Sequence, residues 1–251
     1  MLYRLEKLIG MSINASDGEL GKVKDIYFDD HRWAVRYLVV DTGGWLDDRK
    51  VLISPFSVQK IDWDQRGIHV HLTRQQVKDS PSFNTDKPVS RQHEMEFLGY
   101  YGYPGYWGGP LLWGAIPYPV LPALAMPAVN EAWAGHAEAP ADSHLRSAGE
   151  VTGYHLQATD HSIGHLQDFL VDDENWAIRY VVVDTRNWWP GKHVVIPAQW
   201  IKQLDWSENV VKVDVTRETV QSAPEFDPDL EFTRAYETNL HRHYRRPGYW
   251  Q

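Results

Sequence analysis

The 251-residue chain carries 43% hydrophobic and 24% charged residues, the balance of a folded chain long enough for two ordinary domains. A formal net charge of −9 works against non-specific binding to phosphate backbones, which draws on Lys and Arg releasing counterions, so no nucleic-acid partner is expected. Cysteine is absent, which excludes disulfides, thiolate catalysis and cysteine-ligated zinc or iron–sulfur centres.

The first fourteen residues interleave charges with single apolar residues and do not read as a signal peptide, so a cytoplasmic location is expected. Residues 10–13 form the first predicted strand. Asp17-Gly18 is a hairpin signal. Residues 22–28 alternate, with Val23, Ile26 and Phe28 apolar, and residues 29–32 turn. The β-branched and aromatic run 33–40 suits a central strand, with Trp33, Val35, Tyr37 and Val39 on the core face. Thr42-Gly43-Gly44 turns again. A short buried strand, 51–53, stops before Pro55, and strands 58–63 and 68–72 flank the turn 64–67. Thr73, three residues before Gln76, has capping-box spacing for a short helix over 74–79, and Pro81 ends it.

The same order then recurs. Gly21, Asp25, Asp29 and Asp30 align without a gap with Gly164, Asp168, Asp172 and Asp173. Trp33, Arg36, Tyr37, Asp41 and Thr42 fall on Trp176, Arg179, Tyr180, Asp184 and Thr185, and Thr73-Arg74 on Thr216-Arg217. Both copies close on Pro-Gly-Tyr-Trp, at 104–107 and 247–250. Roughly a third of about a hundred aligned positions are identical, as expected of duplicated structural units. Each copy reads as about six short strands followed by a short helix, and so small a set of strands hides its edges by closing into a barrel.

The series Ile-Gly, Asp-Gly-x-x-Gly-x-x-x-Asp-x-x-x-Asp, Trp-x-x-Arg-Tyr-x-Val-Val-Asp and Val-x-Ile-x-Pro resembles the PRC-barrel domain. Gly10, Gly21, Asp25, Asp29, Tyr37, Val39 and Ile53 match it in the first copy. Gly153, Gly164, Asp168, Asp172, Tyr180, Val182 and Ile196 match it in the second. The resemblance covers about 5–82 and 148–225. It implies a β-barrel used for assembly and protein contact, with no shared chemistry. The family includes the cytoplasmic domain of the photosynthetic reaction centre H subunit and the C-terminal domain of a ribosome maturation factor. The membrane helix of the first and the RNA-associated domain of the second have no counterpart in this sequence, so neither specialised role is expected to transfer.

The expected organisation is mainly β: a first barrel over 1–88, a linker over 89–145, a second barrel over 146–230, and a basic, aromatic tail over 231–251. Residues 97–130 carry no charged side chain, but Pro110, Pro117, Pro119, Pro122 and Pro127 argue against a spanning helix. This stretch is expected to pack on its own or a sister chain, the alternative being a docking segment for a partner or a membrane surface. The repeated tails are expected to dock on a barrel, of the same chain or another.

Candidate contact residues are Trp45, Trp107, Trp113, Trp188, Trp189, Tyr249 and Trp250, which offer large areas with few rotors. Asp25, Asp29, Asp168 and Asp172 read as turn and strand-end carboxylates, with Arg36 and Arg179 as their cross-strand partners. His69-x-His71 has the spacing of two metal ligands on one strand face, but the second copy has Lys212 and Asp214 there, so no metal is expected. Neither a Gly-x-Ser-x-Gly elbow nor a phosphate-binding loop is present. The basic run 242–246 reads as a solvated tail. The sequence therefore predicts a non-catalytic assembly module without cofactor, an adaptor or homo-oligomer, with a peripheral membrane-complex partner as the rival reading. An RNA or ribosome accessory is disfavoured by the acidity.

Overall fold

A computed structural model describes residues 1–47, 49–83, 89–107, 109–120, 144–185 and 192–250. The chain forms two compact units. One, built on the first repeat, comprises Lys7–Ala148 with Glu174–Ala177. The other, built on the second, comprises Met1–Glu6, Gly149–Asp173 and Ile178–Gln251.

The first-repeat unit contains β2 (Ser12–Ala15), β3 (Gly18–Asp29), β4 (Ala34–Asp41), β5 (Lys50–Ile53), β6 (Val58–Asp62), β7 (Gly67–Val70) and β8 (Leu145–Ser147). Their order is β5-β4-β3-β2-β7-β6, with β8 on the flank of β3. Among the described residues of this unit only β2 and β7 pair in parallel. The second-repeat unit contains β1 (Leu2–Arg4), β9 (His155–Gln157), β10 (Ser162–Asp172), β11 (Ile178–Asp184), β12 (His193–Pro197), β13 (Ile201–Asp205) and β14 (Val210–Val213). Their order is β12-β11-β10-β9-β14-β13, with β1 on β10.

The leading strands are therefore exchanged. β1 stands ahead of the first repeat but pairs with β10 of the second, Tyr3 opposite Val171. β8 stands ahead of the second repeat but pairs with β3 of the first, Arg146 opposite Phe28. Each unit takes strands from both repeats, an arrangement that no pattern within one repeat announces.

The glycines of the repeat have a steric cause. Gly21 has φ +144, and a Cβ there would lie 2.0 Å from the Asp41 carbonyl oxygen. Gly164 has φ +138, and its Cβ would lie 2.2 Å from the Asp184 oxygen. At both points the neighbouring strand passes too close for a side chain.

Three expectations need correction. Trp33 does not begin the central strand: it sits at φ 54, Trp176 likewise at φ 61, and β4 starts at Ala34. The turn after Asp29 is tight enough to need a left-handed residue, and Phe28 stacking on Trp33 holds it there. The central strand does not divide into core and outer faces either, because every β4 residue except Asp41 is buried. Nor, among the described residues, do the sheets close through a strand ladder. The 3-10 turns Pro55–Ser57 and Ala198–Trp200 join β5 to β6 and β12 to β13, and neither pair forms a hairpin.

Among the described residues the helices are α1 (Arg74–Asp79), α2 (Arg91–Tyr101), α3 (Ala148–Val151), α4 (Arg217–Gln221) and α5 (Arg234–Tyr244). Thr73 and Gln76 form the expected capping box of α1, and Thr216 caps α4. Residues 91–101, within the stretch expected as linker, form a helix capped by Ser90 and ended by left-handed Gly102. Among the described residues no helix is long and apolar enough to cross a membrane.

Candidate functional site

Helix α2 and the motif Pro104-Gly-Tyr-Trp107 lie against the central strand of the first-repeat unit. Glu94 is wholly buried on α2. Its carboxylate accepts from the hydroxyls of Tyr37, at 3.0 Å, and Tyr106, at 2.5 Å, and pairs with Arg91 at 2.8 Å. Burial pushes the Glu94 carboxyl up to about 7, against the pull of Arg91 and the two hydroxyls. Behind it, the Arg36 guanidinium stacks 3.9 Å from the Tyr106 ring centre and 4.6 Å from that of Trp113, and pairs with Asp29 at 3.0 Å. Arg91 lies 4.4 Å from the Trp107 ring.

The second-repeat unit carries the same clasp. Tyr180 donates to Glu237 at 2.9 Å, and Arg234 pairs with Glu237 at 2.9 Å. Arg179 stacks 4.0 Å from Tyr249 and pairs with Asp172 at 3.0 Å, while Arg234 stacks 4.3 Å from Trp250. Among the residues that meet the strand tyrosine, one position differs in kind. Where α2 has Leu98, α5 has His241, whose Nε2 meets the Tyr180 hydroxyl at 3.0 Å and whose pKa is lowered by burial.

These contacts explain the repeated Pro-Gly-Tyr-Trp letters. The tyrosine caps the strand arginine, buried in the first unit and partly exposed in the second, and the tryptophan folds back over its own glycine to reach the helix arginine. A Cβ on Gly248 would lie 2.5 Å from the Trp250 ring, and one on Gly105 3.1 Å from the Trp107 ring. Each motif, expected to dock on a barrel of this chain or another, lies within the unit of its own repeat.

Trp45 donates its indole N–H to the Leu20 carbonyl at 2.7 Å and stacks on Arg74. Trp113 is buried, packs edge-on against Phe56 and donates to the Asn175 carbonyl at 2.8 Å. Trp188 and Trp189 lie outside the described residues. Asp29 and Asp172 take the expected cross-strand arginines, whereas Asp25 and Asp168 receive groups from the exchanged strands. Ser147 donates to Asp25 at 2.6 Å, and Arg4 pairs with Asp168 at 3.0 Å. Burial pushes Asp168 up to about 6. His71 meets the Tyr103 hydroxyl at 3.4 Å, and Tyr103 bonds Ser57 at 2.7 Å. Among the described residues no group of three His, Asp or Glu could hold a metal ion.

Sequence reasoning missed Glu94, Glu237, Arg91 and Arg234. A signal existed: Arg-x-x-Glu stands at the same distance before Pro-Gly-Tyr-Trp in both copies. Chemically the Glu94 carboxyl could hold a proton near neutral pH, and it is fully buried among the described residues.

Comparison with known proteins agrees with this architecture. An uncharacterised protein of Deinococcus radiodurans is 29% identical over 86 residues, which span 34% of this chain and 30% of that protein. The matched stretch thus covers under a third of the relative. The profile of the PRC-barrel domain matches residues 1–77 and 150–220, together more than half of the sequence. With its repeat found twice, the chain belongs to the PRC-barrel family.

Proposed function

We propose that this chain is a non-catalytic protein-interaction and assembly module, acting as an adaptor or as a homo-oligomer. The observation that carries this reading is how each sheet is completed: its long inner strand takes a short strand from elsewhere in the chain. β3 and β10 each receive a three-residue strand from a distant part of the chain, through antiparallel main-chain pairing. Strand addition of this kind works by backbone geometry and asks little of the incoming sequence, which is also how sheets recruit strands from partners. A further support is the exposure of Leu111, Tyr118 and Val120 at the described end of the apolar segment, where apolar area meets solvent.

The test is the solution mass of the full chain by sedimentation equilibrium, beside the triple variant Leu111→Ser, Tyr118→Ser, Val120→Ser. A mass above the 29.0 kDa of one chain, falling to one chain in the variant, is the expected result. A chain that stays single at tens of micromolar and crosslinks to no protein in its native cell would sink the reading. Co-sedimentation of the same pair with lipid vesicles decides the membrane-peripheral rival. Binding lost in the variant would transfer the apolar surface to that role.

A further inference from the structure

The two clasps differ on one side. At the C-terminal end of α5 lies a shallow cleft of about 420 Å³, lined by Thr238, His241, Arg242, Arg245, Arg246 and Trp250, with Pro247 at its rim. No acidic residue lines it. The same places on α2 and its tail hold Met95, Leu98, Gly99, Gly102, Tyr103 and Trp107. The fold is thus built once without any charge at this point and once with three arginines and a histidine.

A helix C-terminus attracts cations, and that is the plain reason to find arginine there. It does not account for Arg245. This residue ends α5 at φ 53, left-handed backbone that the first repeat gives to Gly102 at φ 69. Left-handed backbone costs an arginine more than a glycine, so the local backbone is not what favours arginine at this position. Helix-dipole relief is also available from Arg242 and His243 in the last turn. Arg246 is tied to Asp214, donating to its backbone oxygen at 2.7 Å and its carboxylate at 3.3 Å. The exposed guanidiniums of Arg242 and Arg245 make no hydrogen bond or ion pair among the described residues. Positive charge gathered on a chain of net −9, with two forks left open beside Trp250, suits an anion with several oxygens.

We propose that this cleft binds a phosphate-bearing anion, held by Arg242 and Arg245 with Trp250 as its wall. The site shares no residue with the strand pairings and apolar surface on which the assembly reading rests, so either can fail alone.

The experiment titrates the full chain with sodium pyrophosphate against sodium chloride of equal ionic strength, by calorimetry and by melting temperature. Arg245→Gly and Arg242→Gln are measured beside it. Arg245→Gly restores the residue that the first repeat uses, so it is expected to fold at least as well as the parent. Saturable pyrophosphate binding, weakened about tenfold or more in each variant, is the expected result. A parallel arm uses phosphatidylcholine vesicles with and without phosphatidic acid. Binding there that depends on both arginines identifies a lipid headgroup as the source, and binding confined to pyrophosphate identifies a soluble ligand. No binding in either arm overturns the proposal, as does binding that both variants retain.

Discussion

The hydroxyl of Tyr37 donates to the buried carboxylate of Glu94 at 3.0 Å, and Tyr180 does the same to Glu237 at 2.9 Å. A strand residue of the family pattern thus anchors a helix that lies beyond the matched domain in both units. A buried carboxylate is costly unless several donors meet it, so the tyrosine, the helix arginine and the tail tyrosine act together.

Stability should fall as pH rises toward neutral. Glu94 titrates near 4.5 in the unfolded chain and near 7 in the fold. Between those values the folded state keeps a proton that the unfolded state has released, so raising pH favours unfolding. Asp168, raised to about 6 by burial, acts in the same direction at lower pH. Glu94→Gln keeps an acceptor and cannot titrate. Urea midpoints from pH 5 to 8 should show the parent losing roughly 2–3 kcal/mol relative to the variant. Parallel pH profiles would contradict this account.

The strand exchange can be read by crosslinking, since the chain has no cysteine of its own. Tyr3→Cys with Val171→Cys places the pair at register partners, within disulfide reach. Tyr3→Cys with Phe28→Cys tests the pairing in which the leading strand stays with its own repeat. Mild oxidation should crosslink the first pair within single chains and leave the second reduced, as seen on a non-reducing gel. The reverse pattern would refute the exchange.

Gly21→Ala and Gly164→Ala should each destabilise their unit by more than about 3 kcal/mol, because the added methyl meets backbone that cannot move aside. Gly43→Ala is the control: it has φ +57 but open space around it, and should cost only about 1 kcal/mol. Denaturant melts of the three variants decide the ranking.

Arg36→Lys keeps the charge but loses the flat guanidinium that Tyr106 and Trp113 sandwich. The loss expected is about 2–4 kcal/mol, because Asp29 keeps a poorly placed partner in a dry site. Arg179, on the more exposed Asp172 pair, should lose less under the same change. Equal losses would show that stacking and burial are not what holds the first clasp.

The duplication, the β class, the hairpin at Asp17-Gly18, the capping box at Thr73 and the Arg36–Asp29 and Arg179–Asp172 pairs were legible in the chain, because each depends on residues close in sequence or in adjacent strands. Repeated letters also flagged Pro-Gly-Tyr-Trp, though not what it grips. The open strand order, the left-handed Trp33 and the exchange of Leu2–Arg4 and Leu145–Ser147 were decided only by tertiary structure. A short strand such as these carries too little pattern to name its partner, and either long strand would accept either one on backbone pairing alone. Glu94 stayed hidden for a related reason: a charged residue on a helix reads as solvent-facing until the strand tyrosine, the helix arginine and the tail tyrosine converge on it in space.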